Sequence, residues 1–380
     1  MTQPPPLFWF DAHLDLAFMA QAGRDMLCTN PAIAGGEDAP GCITLPSLQT
    51  AGVKWAVATI FTETNAPHMP YGYGQWSDIA GARAAGLAQL CQYQQWENDG
   101  LVRIIKNAGD LNHTPAVTDP LQIIILMEGA DPIADNDDAA WWFEQGVRIV
   151  TLCWTHGSRY AAGNGMPSAK GGLTDAGKSL VHQLDTLGVI HDLTHLNDAA
   201  AEQLLQLTGG SDKTPDPKTG QMTGKGVNKL IATHSASRTM QAGALATVDG
   251  VDSATVAQRH ITDELLGHVR DRGGMVGLPL YAKFLNAPNE DRPSVSRTAD
   301  HVNYLADKLT CNQAHGRTRV GLGSDFDGGF SANDTPVGLE GPTKLAALAQ
   351  QLAAHGWSDD DIRAMACENW LRYFQRALPG

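Results

Sequence analysis

Asp11-Ala12-His13-Leu14-Asp15 follows the apolar run Leu7-Phe8-Trp9-Phe10. The run predicts a buried first strand, with the polar stretch running out at its C-terminal end. Alternate residues of a strand point the same way, so Asp11, His13 and Asp15 would share one face. Three ionisable groups beyond a buried strand are costly unless compensated, and a metal cation compensates them best. A hydrogen-bonded strand end with a satisfied histidine is the plain alternative, and the stretch taken alone leaves both readings open. The same arrangement then recurs along the chain. Glu128 follows the apolar run 122–127, His156 follows 147–152, and His195 follows 189–193. His234 follows 230–233 and Asp325 follows 319–323. Thirteen histidines scattered at random would not favour strand ends. Imidazole with carboxylate suits Zn²⁺, and less well Mn²⁺, Fe²⁺ or Co²⁺. Five ligands exceed what one open catalytic zinc takes from its protein, whereas two metals bridged by a carboxylate fit. Such a pair can hold a hydroxide and polarise an ester, amide or phosphate oxygen.

These residues need a scaffold that brings strand ends together. The strong apolar runs are 7–10, 53–61, 122–127, 147–152, 189–193, 230–233, 275–280 and 319–323, with 101–105 a short extra strand or a helix end. Helical spacing falls at 77–96, 174–187, 198–207, 262–272, 297–309, 345–355 and 368–376, and Ser358 with Asp361 reads as a capping box. Eight strands interleaved with helices predict an α/β chain, a (β/α)8 TIM-type barrel forming a single domain over 1–380. Barrel enzymes keep their chemistry at the C-terminal ends of the strands, where these candidates converge. The rival is an open doubly wound sheet, but no GxGxxG or phosphate loop follows any strand.

With 380 residues, 43% of them hydrophobic, the chain can bury a large core. A net charge of −14 argues against a nucleic-acid backbone or an anionic membrane as partner. The apolar run 123–127 is far too short to span a bilayer. The six cysteines form no CxxC pair and read as reduced core residues. The N-terminus lacks the basic residues and long apolar stretch of a signal peptide, so a cytoplasmic protein is expected.

The sequence resembles the membrane (renal-type) dipeptidase family of the amidohydrolase superfamily. The matching stretches are DAHLD at 11–15, MEGAD at 127–131, TLCWTH at 151–156, GLTDAGKSLV at 172–181, GVIHDLTHLNDA at 188–199, IATHSASR at 231–238, RHITDELL at 259–266 and GLGSDFDGG at 321–329. The resemblance implies a zinc-dependent dipeptidase with two Zn²⁺ per chain, acting on small peptides as a homodimer. It implies His13 and Asp15 as ligands of one zinc, His195 and His234 of the second, and Glu128 as the bridge. It implies His156 as the residue that contacts the scissile carbonyl and Asp325 as the acid/base. Arg259 would hold the substrate carboxylate, and Tyr281 would line the same pocket. Ala12 and Leu14 replace the usual Gly and Asn of the first motif, and Thr194 and Thr233 replace Ser before two ligand histidines. His260 replaces Asn after Arg259, and Cys367-Glu368 stands where the family's Gly-Gly-Asn pattern falls; these changes bear on the pocket's edge, not on the ligand set.

Each residue also has a bland reading. A single histidine is more often a core residue bonded to a carbonyl than a ligand, and Arg259 could simply pair on a helix surface. Asp11 and Asp192 read as partners that orient ligand histidines, Asp327 as a turn residue, and Trp141-Trp142 as packing. Loop 209–226 joins a helix to a strand and is expected on the far face, exposed. Loops 282–296 and 328–343 follow strands and border the site, one of them covering the substrate or meeting a second subunit. Two other functions remain: a dizinc hydrolase of another small amide, such as an N-acyl amino acid or lactam, and an inactive metal-binding homologue.

Overall fold

The computed structural model describes residues 7–113, 115–116, 118–208, 229–241, 252–288, 290–310 and 316–380, with backbone alone at 214–215 and 222–223. Nine strands form its main sheet: β1 Trp9–Leu14, β2 Val53–Phe61, β3 Val102–Ile104, β4 Leu121–Glu128, β5 Val147–Thr151, β6 Ile190–Asp192, β7 Leu230–Ala232, β8 Met275–Leu278 and β9 Val320–Leu322. Eight of them close a parallel ring in the order β2-β1-β9-β8-β7-β6-β5-β4, with β4 returning to β2. β3 pairs with the first residues of β4, on the side that β5 takes over from Ile125 onward. Closed rings have no exposed strand edge, which suits runs as apolar as Ile123-Ile124-Ile125. This is the (β/α)8 barrel expected, with 101–105 resolved as a strand.

The period-2 pattern of each strand sorts its residues between two cores. Ala56, Ala58, Ile60, Ile123, Ile125 and Met127 face outward into the layer shared with the helices. Trp55, Val57, Ile124, Leu126, Ile149, Ile190, Ile231 and Met275 fill the ring. The helix Asn369–Ala377 closes its lower end with Trp370, Tyr373 and Phe374. Phe10 stacks on Phe374 at 5.4 Å, and the Trp370 indole donates to Leu322 O at 3.0 Å. Gly321 makes this possible, since a Cβ there would lie 2.3 Å from the indole nitrogen.

Several expectations change. The first strand runs to Leu14, so Asp11 and His13 lie within it. The shared face of Asp11, His13 and Asp15 does not form. Phe10 and Ala12 point into the ring, and a register shift between Asp11 and Leu14 turns Leu14 outward. A bulge adds one residue and flips the side chains beyond it, which aims His13 into the site and leaves Asp11 beside β9. Asp11 there accepts from Ser324 N at 2.8 Å and Ser324 Oγ at 2.5 Å. The helices Leu45–Thr50 and Asn136–Gln145 are additional to those expected; Asn136–Gln145 is short, acidic at its start and weakly periodic. Cys91 is exposed and Cys28 half-buried rather than core, although Cys42, Cys153 and Cys367 are buried. Trp141 and Trp142 pack edge to face, as expected, at 5.1 Å. Most of loop 209–226, with Cys311 and His315, lies outside the described residues.

Candidate metal centre and active site

One step above the apolar filling of the ring, the inward positions turn polar. Val57 is followed by Thr59, Leu126 by Glu128, Ile149 by Thr151, Ile190 by Asp192 and Ile231 by Thr233. All five polar residues are buried. His13, near the end of β1, gathers around Glu128 with Asp15, His195, His234 and Asp325, which stand just past their strands.

The two Glu128 oxygens face different partners. Oε2 lies 3.3 Å from His13 Nε2. Oε1 lies 3.1 Å from His195 Nε2 and 3.7 Å from His234 Nε2. His13 Nε2 is also 3.8 Å from Asp15 and 3.9 Å from Asp325. Three overlapping triads result: His13–Asp15–Glu128, Glu128–His195–His234 and His13–His234–Asp325, each with its donor atoms within 4.8 Å of one another. The donor set fits divalent cations. His195 Nε2 and His234 Nε2 face each other at 3.0 Å, and the buried His13 Nε2 has no hydrogen-bond partner. Buried nitrogens left facing one another without donors to satisfy them are what a shared cation would resolve.

Electrostatics of the metal-free protein point the same way. Burial pushes His195 down to about 4 and His234 well below the usual imidazole range, with the Arg259 charge adding to both. Both rings are therefore neutral, the form that ligates metals. Burial opposes ionisation of Glu128, but the His13 charge and the close His195 ring outweigh it and hold the carboxyl well below its ordinary range. Burial opposes the His13 cation as well, and Glu128 and Asp15 overcome it, pushing the ring up to about 10. Burial carries Asp325 well above the carboxylate range, against the pull of His13.

The backbone is bent to deliver two of these side chains. His195 has φ 68° and Asp325 φ 60°, left-handed values that cost a non-glycine residue roughly 1–3 kcal/mol. Such strain persists where surrounding contacts fix it. Asp327, at φ 64°, supplies one of them. It pairs with Arg24 and accepts from Cys42 N at 2.8 Å and Ile43 N at 2.9 Å, so it anchors the 24–43 segment as well as shaping its own turn.

A cavity of about 620 Å³ opens over the cluster. Arg259 lies in its wall, where NH1 donates to His234 O at 3.0 Å and NH2 is 4.0 Å from Asp325. Its guanidinium stacks over Phe284 at 4.5 Å. Tyr281 lines the cavity against Phe330, and His156 lines it with an exposed ring set edge-on to Trp154. All nine sequence-derived candidates thus meet in one place. Both post-strand loops contribute, 282–296 through Phe284 and 328–343 through Gly328 and Gly329.

Other lining residues escape the sequence reading. Thr155 Oγ1 and Asn164 Oδ1 hold His195 Nδ1 at 3.1 and 3.4 Å. Glu37, Asp38, Glu63 and Tyr71 form the cavity's acidic side, with Tyr71 donating to Glu37 at 3.2 Å. Glu63 stands two residues past β2, so the strand-end logic could have found it. Glu37 and Asp38 lie in an aperiodic Gly-Pro-rich stretch that carries no such signal. Among the described residues no helix is long and apolar enough to cross a membrane.

Comparison with known proteins agrees with this geometry. The chain is 28% identical over 232 residues to the dipeptidase aclJ of Aspergillus oryzae, a match covering 61% of this chain and 45% of that protein, so the chain spans about half its length. The crystal structure of dipeptidase AC, a metallopeptidase, superposes with a TM-score of 0.72 at 24% identity, over 98% of this chain and 99% of that one. A Rhodobacter sphaeroides metallopeptidase liganded with a phosphinate mimic of L-Ala-D-Ala has the same fold, with a TM-score of 0.72 at 23% identity over 98% and 99% of the two chains. The family model for membrane dipeptidases, peptidase family M19, matches residues 6–378, and the chain belongs to that family.

Proposed function

We propose that the chain is a dizinc dipeptidase that hydrolyses the amide bond of dipeptides. The observation that carries this reading is the division of Glu128, one oxygen toward His13 and the other toward His195 and His234. His13 and Asp15 would hold one Zn²⁺, His195 and His234 the second, and Glu128 would bridge them. When bound, the pair supplies Lewis acidity to the scissile carbonyl and lowers the pKa of water at the site.

The chain's own groups do the rest. Arg259 offers a fixed fork to the substrate carboxylate, with Tyr281 beside it. His156 donates to the carbonyl oxygen as negative charge builds there. Asp325 takes a proton from the attacking water and passes it to the leaving amine. A carboxyl whose burial raises its proton affinity suits that relay. The cavity wall carries both signs of charge, Arg259 and the Glu37, Asp38 and Glu63 carboxylates gathered near Tyr71. A zwitterionic dipeptide matches this polarity, carboxylate to guanidinium and ammonium to the acidic side. An N-acyl amino acid has no ammonium and matches only half of it.

Metal analysis by mass spectrometry is the first test, with about two zinc ions per chain expected; about one favours a mononuclear hydrolase. Turnover of a dipeptide panel should vanish with chelator and return with zinc. Retention of full activity by the metal-free protein overturns the proposal. We further propose a cytoplasmic homodimer, supported by the five cysteines that are free among the described residues and by the family resemblance. Sedimentation would settle the dimer, and fractionation the compartment.

A further inference from the structure

The polar layer beneath the metal centre has a hub. Asp192 Oδ1 accepts from Thr194 N at 3.0 Å, Thr194 Oγ1 at 2.8 Å and Thr233 N at 3.1 Å. Its Oδ2 accepts from Thr151 Oγ1 at 3.2 Å and Thr233 Oγ1 at 2.5 Å. The Thr233 hydroxyl has a single proton, and the short contact shows where it goes. Only lone pairs remain on that oxygen, and two imidazoles face them: His234 Nδ1 at 2.9 Å and His13 Nδ1 at 3.3 Å. A hydroxyl that has given up its proton can only accept, so both Nδ1 atoms must carry hydrogen. In a neutral imidazole the lone pair then sits on Nε2, the atom each ring turns toward Glu128.

The position of Thr233 is itself held tightly. Gly277 on β8 and Gly323 just past β9 approach its carbonyl so closely that a Cβ would lie 1.9 Å from the oxygen at the first and 1.8 Å at the second. His195, by contrast, takes its Nδ1 contacts from Thr155 and Asn164 on a separate loop.

We infer that Thr233, oriented by Asp192, is a positioning residue that sets the tautomer of one imidazole in each half of the metal centre and so couples the two halves. The inference rests on the dizinc reading. A single hydroxyl 2.9 Å from one ligand histidine and 3.3 Å from the other makes the two metal positions depend on one atom.

The test uses Thr233→Val, which keeps the branched shape and removes the hydroxyl, and Thr233→Ser, which keeps the hydroxyl. Zinc affinity is read by competition with a chromophoric chelator, and the tautomers by ¹⁵N NMR of histidine-labelled metal-free protein. Loss of a residue that orients a ligand costs roughly 10–100-fold in metal affinity. Thr233→Val should show that loss at both positions, and Thr233→Ser should restore binding. Thr155→Val should weaken one position only. The metal-free wild type should show His234 with hydrogen on Nδ1, and Thr233→Val should mix its tautomers; His13 carries hydrogen on both nitrogens in that state, so its half of the centre is read by zinc affinity. Wild-type affinity at either position in Thr233→Val overturns the inference, as does an Nδ1 without hydrogen on either ring in the wild type. The spectrum judges it even if the valine variant fails to fold. A wild type that holds no zinc overturns the proposed function instead, and the metal-free spectrum still decides the tautomers.

Discussion

The two ends of the barrel are built from the same strands and do opposite things. At the lower end Phe10, Trp55, Ile124 and Ile231 share one apolar cluster with the aromatic plug of Trp370 and Phe374. Further along the same strands stand Glu128 and Thr233, and beyond them the histidines. The lower end is held by area removed from water, which tolerates exchange of one apolar group for another. The upper end is held by hydrogen bonds with fixed partners, where each buried group is costly without its mate. Stability and chemistry are therefore separated along the strand axis by a pleat or two.

Substitutions at the two ends can break that separation. Asp325→Asn should lower kcat by about 10²–10⁴-fold, the usual worth of a general acid/base, while the Tm of the metal-free protein holds or rises. A large fall in Tm would show that the upper end also carries the fold. Trp370→Ala should cost about 3–5 kcal/mol of unfolding free energy in urea, with kcat/KM of the folded fraction little changed. A matching loss of kcat/KM would mean the plug positions the site. Glu63→Gln should raise KM for a free dipeptide several-fold and leave its N-acetylated form unaffected, about 1 kcal/mol of discrimination. Equal effects on both would remove the acidic side from substrate recognition.

A separate prediction concerns a histidine outside both ends. Burial beside Arg297 pushes His301 down to about 4, and its Nε2 meets Leu285 O at 3.1 Å. Its folded pKa lies below the unfolded value near 6.5, so the unfolded chain takes up the proton first. Its stabilising contribution is complete above that value and is lost as pH falls toward 4, by up to roughly 1.4 kcal/mol per pH unit. His301→Gln should flatten the urea midpoint between pH 6.5 and pH 4; an unchanged slope would assign the acid sensitivity to the other buried histidines, His260 and those of the metal centre.

The ring and the cluster of buried imidazoles and carboxylates at its upper end are legible in the sequence because both obey short periods. Strands announce themselves by apolar runs, and Glu128, His195 and His234 by standing where those runs stop. The faces of the first strand are not legible, because a bulge at 11–14 has no signature in residue type: it swaps faces without changing composition. The Asn136–Gln145 helix hides because only one side of a short helix needs to be apolar, and its first turn is acidic. Asp192 stands out as an orienting group, but the route through Thr233 does not, because it depends on a hydroxyl's single proton and on distances across strands. The acidic side of the cavity is hidden because Glu37 and Asp38 arrive on a loop whose position is set by Arg24 and Asp327, remote in sequence.

Asp11 and Ser324 join β1 to β9 across 313 positions of chain. Until that seam forms the barrel is an open sheet, and the His13 and Asp325 side chains belong to opposite borders of it. Contacts so distant along the chain are the slowest to be made. Placement of Asp325 beside His13 therefore reports completion: Glu128, His195 and His234 come from neighbouring strands and can gather earlier, so turnover regained during refolding should lag the appearance of helices.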